Sequence, residues 1–216
     1  MRVLVVDDHA LFRRAIVGLL SGMPDMEVVG EAEDGEEAVA TARKLHPDVV
    51  LMDIRMRNCN GIEATRRIKQ EMPQVKVLAL TVSEEMSDLV QIIRNGAEGY
   101  LLKSTTPEEC VAALRQVMQG ETALSPRVAA RIFHEFAQDA RRQSDFPRDS
   151  NLSPRELEIL QLVAEGVSNK EISTHLSLSG STVSNHLHNL LGKLHARNRV
   201  QAALFAESRG LLSSSS

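Results

Sequence analysis

Five residues in the first half of the chain have types and positions that could do phosphoryl chemistry: Asp7, Asp8, Asp53, Thr81 and Lys103. They stand directly after short apolar runs at 3–6, 49–52, 75–80 and 100–102. If those runs are strands of one open parallel sheet, ligands bind outside their carboxyl ends, where these side chains gather. Three carboxylates with a hydroxyl and an ammonium form an oxygen-rich site suited to Mg2+, which prefers a few carboxylates plus water and phosphate oxygens. The cation offsets repulsion among the carboxylates and, with Lys103, neutralises charge building on a phosphoryl group in transfer. Asp53 is then the natural acceptor. A single Asp or Thr at a strand end has the plainer role of capping the next helix, but five together are harder to reduce to that. His9 reads as a solvated residue starting the first helix and is given no catalytic role.

The elements needed to position this set alternate along the chain. Strand-length apolar runs at 3–6, 28–29 with its neighbours, 49–52, 75–80 and 100–102 are separated by helix-period segments near 9–22, 34–45, 60–71, 84–95 and 106–118. This is a (βα)5 pattern, and near-continuous apolar strands imply a parallel sheet covered on both faces with right-handed crossovers. Composition shifts after residue 119: Ser125 and Pro126 predict a capped helix to about Arg142, and the polar stretch 143–151 reads as a flexible linker. From 152 the pattern is all-helical, with Ser153 and Pro154 opening a helix that ends before Gly166 and further helices at about 168–175, 179–194 and 198–209. The expected organisation is an α/β domain at 1–119, a linker with a helix at 120–150, an all-α domain at 151–212 and a disordered tail at 213–216.

The 216 residues are 43% apolar, 25% charged and 3% aromatic, as in soluble globular protein rather than disordered or fibrous chains. No run approaches the ~18–20 apolar residues of a membrane span, and Met1 and Arg2 lead through four apolar residues straight into Asp7 and Asp8, unlike a signal peptide. A cytoplasmic protein without membrane contact is expected. Cys59 and Cys110 lack the spacing of a zinc site or disulfide framework and are assigned no role. The net charge of −4 is unevenly divided: residues 1–120 carry 14 basic and 19 acidic side chains, and residues 151–216 carry 6 and 5. Such asymmetry suggests two jobs.

VLVVDDH at 3–9, MDIRM at 52–56, ALT at 79–81 and GYLLK at 99–103 resemble, in order and spacing, the flavodoxin-like receiver domain of two-component response regulators, over residues 2 to about 119. The resemblance implies that Asp53 accepts phosphate from a phosphohistidine on a sensor histidine kinase. It also implies that Asp7, Asp8 and Asp53 hold Mg2+ with the backbone carbonyl of Arg55, and that Lys103 pairs with the phosphoryl group. Thr81 and Tyr100 are the implied switch pair, the hydroxyl moving toward the phosphoryl group and the ring following inward, repacking residues 82–101. Arg57 is a departure, standing where the family commonly has Pro.

LSPRELEILQLVAEGVSNKEIS at 152–173 and LSGSTVSNHLHNLLGKL at 178–194 resemble the four-helix DNA-binding domain of the LuxR/NarL class, a helix-turn-helix module. Val183, Leu187, Leu190, Leu191 and Leu194 form one apolar stripe. The opposite face presents Ser181, Ser184, Asn185 and His188, flanked by Thr182, Asn189 and Lys193, short polar groups able to enter a major groove or reach phosphates. By resemblance this is the recognition helix, with Lys170 on the preceding helix contacting the DNA backbone. Residues 166–199 hold four Lys or Arg against one Glu, which favours a DNA face over an ordinary helical interaction domain. His175, His186, His188 and His195 lack a convincing metal spacing. Ser184 departs from a common Lys, and Gly192 costs about 1 kcal/mol relative to Ala inside a helix.

In the family the last helix pairs two such domains, and here Val200, Ala203, Leu204 and Glu207 share one side of it. A dimer doubles the phosphate contacts and reads half-sites about one helical turn apart. The expected function is a phosphorylation-controlled transcriptional regulator, homodimeric when phosphorylated, bound to promoter DNA and with no enzymatic activity beyond phosphorylation and dephosphorylation of its own Asp53. One rival is a Mg2+-dependent phosphatase with a nucleophilic Asp. The haloacid dehalogenase type needs a second Asp two residues on, where this chain has Arg55. The other rival is a regulator controlled by protein contact alone, against which the intact Asp7, Asp8, Asp53, Thr81 and Lys103 set argues.

Overall fold

Valine, leucine and methionine crowd the runs that become the inner strands β1 (Arg2–Val6), β3 (Val49–Met52) and β4 (Lys76–Thr81), whose side chains are buried almost throughout. Strands covered on both faces read this way because neither side can be polar. In the computed structural model, which describes residues 1–82, 85–124, 128 and 152–208, these three join the edge strands β2 (Glu27–Ala32) and β5 (Gly99–Leu102) in a five-stranded parallel sheet. Its order is β2-β1-β3-β4-β5. The β2 strand is longer than the Val28–Val29 signal suggests, because an edge strand keeps half-exposed positions for Glu27, Gly30 and Glu31 that break an apolar pattern.

Five helices cover the sheet: α1 (Ala10–Ser21), α2 (Gly35–Leu45), α3 (Gly61–Glu71), α4 (Met86–Arg94) and α5 (Pro107–Met118). On one face α1 and α5 pack Ile16, Leu20, Leu114 and Val117 against Val3, Val5, Leu51 and Leu78. The alternate positions Leu4, Val6, Val50 and Met52 point to the other face, as the two-residue period requires. Side-chain oxygens start two helices, Asp34 accepting from the Glu37 N–H at the head of α2 and Asn60 from the Glu63 N–H at the head of α3, both at 2.9 Å. A buried ion pair ties α3 to the sheet: Lys69 Nζ lies 2.5 Å from Glu98 Oε1, and Glu98 Oε2 accepts the Val77 N–H at 2.8 Å.

Two units divide the contacts of the chain, Met1–Met118 with Thr122–Leu124 in the first and Gln119–Glu121 with the later residues in the second. The second contains α6 (Pro154–Ala164), α7 (Asn169–His175), α8 (Gly180–Lys193) and α9 (Arg199–Ser208). Ser153 with Glu156 and Ser168 with Glu171 are reciprocal capping boxes, and Ser179 caps α8. Ile159, Leu160, Ile172, Val183, Leu187, Leu190 and Phe205 form the shared core. The half-buried Arg199 guanidinium donates to Asn169 Oδ1 at 2.8 Å and to the Val167 carbonyl, joining the start of α9 to the turn before α7. No described helix is long and apolar enough to cross a membrane. The helix expected from Ser125, the linker at 143–151 and the tail at 213–216 lie outside the described residues.

Removing Glu98 alone strands an ammonium in the core. Glu98→Ala is expected to cost the first unit roughly 3–5 kcal/mol, whereas replacing both Lys69 and Glu98 with apolar residues of similar size is near neutral. Urea unfolding of the two variants checks the pair.

Candidate functional site

Chain order reverses between β1 and β3, which are neighbours with helices leaving on opposite sides, and the carboxyl ends of these strands bring Asp7 and Asp53 together. Strand pairing continues one residue past each element. The Asp53 N–H donates to the Val6 carbonyl at 2.9 Å, the Asp7 N–H to the Ala32 carbonyl at 3.1 Å and the Lys103 N–H to the Thr81 carbonyl at 2.8 Å. The site side chains therefore hang from fixed backbone.

Asp7 and Asp53 are 3% and 2% exposed, and one ammonium joins them: Lys103 Nζ is 2.7 Å from Asp7 Oδ2 and 2.6 Å from Asp53 Oδ2. The ammonium also lies 4.8 Å from the centre of the Phe12 ring on α1. Burial raises the pKa of Asp53 above its ordinary value, only partly countered by Lys103. For Lys103 burial acts downward but the hydrogen bonds to Asp53 and Asp7 outweigh it, so its pKa is raised. Carboxylate oxygens of Asp7, Asp8 and Asp53 and a ring nitrogen of His9 can lie within 4.8 Å of one another. Asp8 Oδ1 is buried and accepts no hydrogen bond; His9 Nδ1 is 2.7 Å away, but the contact lacks hydrogen-bond alignment. An orphaned carboxylate oxygen beside two further carboxylates fits a hard cation such as Mg2+. The exposed imidazole of His9 is the wrong ligand type for that ion.

Thr81 is the last residue of β4 and fully buried, and Tyr100, on neighbouring β5, is 6% exposed. The Arg55 N–H donates to Asp53 Oδ1 at 3.3 Å, and its guanidinium reaches Glu85 at 2.6 Å and Asp88 at 3.0 Å, at the start of α4. On α8, Ser181, Ser184, Asn185, His188 and Asn189 are exposed and Thr182 is half-buried, while Val183, Leu187 and Leu190 turn inward. The Ser181 and Thr182 hydroxyls lie 2.8 and 2.7 Å from Ser179 Oγ at the cap. Lys170 is exposed. Lys193 instead reaches Glu156 Oε2 at 2.7 Å, which ties it to the head of α6. Val200, Ala203 and Leu204 are buried, and the Glu207 side chain lies outside the described residues.

Residues 3–115 match the model of the response regulator receiver domain, and residues 150–206 match that of the bacterial regulatory proteins of the luxR family. The transcriptional regulatory protein LiaR of Bacillus subtilis is 40% identical over 212 residues, 98% of this chain and 99% of that protein. The chain belongs to the NarL/LuxR family of response regulators. Among solved structures, the response regulator ChrA of a heme-sensing two-component system is 33% identical, with a TM-score of 0.52 and 98% of both chains covered. RcsB, solved as two dimers bound to two parallel DNAs, is 26% identical, with a TM-score of 0.56 over 96% of this chain and 98% of that one.

A response regulator of this kind depends on positions that sequence reasoning passed over. Gly61 opens α3, and a Cβ there would meet the Asp53 carbonyl oxygen at 2.0 Å. Its own N–H donates to the Ile54 carbonyl at 2.9 Å. The Asn60-Gly61 pair signals a turn, but nothing local announces that the turn presses on Asp53. Glu156, 4% exposed, accepts from the Ser153 N–H and from Lys193, both at 2.7 Å. Burial works to raise its pKa, but these hydrogen bonds win and hold it down to about 2.

Gly61→Ala is expected to displace the backbone at Asp53 and lower the melting temperature of the first unit, because backbone rather than a pliable side chain blocks the methyl group. Since the folded Glu156 pKa lies below the ordinary value of 4.5, its contribution to stability is complete above that value and is lost as pH falls through about 2. Acid unfolding followed by circular dichroism should be shallower in Glu156→Gln, which lacks this titration.

Proposed function

We propose that Asp53 accepts a phosphoryl group from a sensor histidine kinase in the cytoplasm, and that phosphorylation governs dimerisation and promoter binding. The observation that carries this is the buried Asp53 with one oxygen held by Lys103 and the other facing the loop, beside the unsatisfied oxygen of Asp8. Asp7, Asp8 and Asp53, with the Arg55 backbone carbonyl, would hold Mg2+. When bound, that ion supplies positive charge where phosphoryl charge builds up. Lys103 supplies a second positive charge and orients Asp53 through Oδ2, leaving Oδ1 to attack. Thr81 and Tyr100 carry the signal through β4 and β5 toward α4.

The chemistry is confined to the protein's own aspartate. A phosphatase acting on free phosphomonoesters would need an acid two residues after Asp53, and Arg55 occupies that place with its guanidinium held by Glu85 and Asp88. In the second unit, the exposed polar face of α8 reads DNA and Lys170 contacts phosphate. The RcsB dimers on DNA support a dimeric DNA-bound form. Val200, Ala203 and Leu204 must be uncovered before α9 can pair with a second copy, and we place that step downstream of phosphorylation.

Intact mass after incubation with Mg2+ and acetyl phosphate is expected to rise by one phosphoryl group, and not to rise in Asp53→Ala or with EDTA; an unchanged mass in the wild type overturns the reading. Lys170→Ala is expected to weaken DNA binding and reduce the slope of log affinity against log salt by about one. Lys193→Ala is expected to lower the melting temperature of the second unit through loss of its bond to Glu156. Anisotropy titrations at several salt concentrations separate the two.

A further inference from the structure

A cleft of about 380 Å3 opens beside the acceptor, lined by Asp8, Ile54, Arg55, Arg57, Asn60 and Asp88 among others. With Asp53 Oδ2 held by Lys103 at 2.6 Å, the oxygen left for attack is Oδ1, which accepts only a long 3.3 Å hydrogen bond from the Arg55 N–H and so lies toward the segment that walls this cleft. In phosphoryl transfer the attacking and leaving groups lie roughly in line, so the leaving group of a donor attacked by Oδ1 points away from Asp53, toward the cleft and its mouth.

The charges around that mouth are nearly balanced. Arg55 is neutralised by Glu85, just before α4, at 2.6 Å and by Asp88 on α4 at 3.0 Å, and Asp8 adds a further carboxylate. Arg57 is exposed, lines the cleft and makes no ion pair among the described residues. Without it the mouth holds three acids against one base and disfavours negative charge building on a leaving group there.

We propose that Arg57 is a specificity residue for the phosphoryl donor, favouring acyl phosphates, whose leaving group is a carboxylate. The inference rests on Asp53 being the acceptor. Asp53 Oδ1 forms the new bond to phosphorus as the bond from phosphorus to the acyl oxygen breaks. The electron pair departs on that oxygen, and the carboxylate leaves without needing a proton. Arg57 pairs with the negative charge that develops on that oxygen as the bond breaks, an interaction made only with a leaving group that becomes an anion. Phosphoramidate is the contrasting donor: it releases ammonia from a nitrogen that is positively charged in the donor, and a cation at the mouth gives it no help.

The test uses the full chain with Mg2+ and follows the initial rate of phosphorylation by intact mass, with acetyl phosphate or phosphoramidate as donor. Arg57→Ala is expected to slow the acetyl phosphate reaction roughly two- to fivefold at sub-saturating donor, the size typical of an exposed charge pair. Arg57→Glu should slow it further and Arg57→Lys should restore it, while the phosphoramidate rate stays constant. The difference should vanish at about 1 M salt, where screening acts over about 3 Å. Equal slowing with both donors, or no slowing with either, overturns the proposal. So does loss of the Mg2+-induced rise in melting temperature in Arg57→Ala, which would make Arg57 a support of the metal site. If the wild type takes phosphate from neither donor, the reading of Asp53 itself fails and the role of Arg57 falls with it.

Discussion

Two carboxylates almost removed from water share one ammonium, and the receiver unit is arranged around that fact. Asp7 and Asp53 side by side would repel each other strongly in a poorly solvated site, and Lys103 between them makes their burial tolerable. Lys103 comes from the strand two places beyond Asp53 in the sheet, so its reach depends on β4 lying between β3 and β5 with small residues at its end. The Phe12 ring under the ammonium brings α1 into the same arrangement. With one cation serving two anions, the cluster keeps a net negative charge, and that deficit together with the orphaned Asp8 oxygen is what makes a divalent cation chemically fitting there.

The backbone around Asp53 is braced unevenly. On one side Gly61 packs so closely that no side chain fits, and Asn60 closes the head of α3 over the strand end. On the other, the attachment to α4 runs through the flexible side chain of Arg55, the exposed Glu85 and the half-buried Asp88. A charge added at Asp53 would meet closely packed backbone toward α3 and side-chain ion pairs toward α4. Thr81 and Tyr100 lie on the neighbouring strands β4 and β5.

Much of this arrangement is legible in sequence because its signals are local. The inner strands are buried on both faces and therefore continuously apolar, and the reactive residues follow them directly. The β2 strand is blurred because an edge position tolerates Glu27 and Glu31, and β4 runs one residue past the apolar stretch to include Thr81. What stayed hidden depends on contacts between distant residues. Gly61 is confined by Asp53, Lys69 is paired with Glu98, and Lys193, which the charge pattern assigns to DNA, is drawn to Glu156 thirty-seven residues earlier. A lysine on an exposed helix face carries no local mark to distinguish a phosphate contact from an ion pair.

That diversion of Lys193 bears on how the second unit can work. The outer face of α8 offers hydroxyls, amides and an imidazole, and some of the hydroxyls already hydrogen-bond at the helix cap. Such groups discriminate between base edges but contribute little of the counterion release that drives affinity for DNA. If this face binds DNA as proposed, Lys170 and a few neighbouring cations would have to supply that term, and one unit alone would bind weakly. Joining two units makes the second binding event intramolecular and raises the effective concentration without adding a contact. For a polar face this sparing in charge, control of pairing would be a more effective lever on occupancy than any adjustment of the face itself.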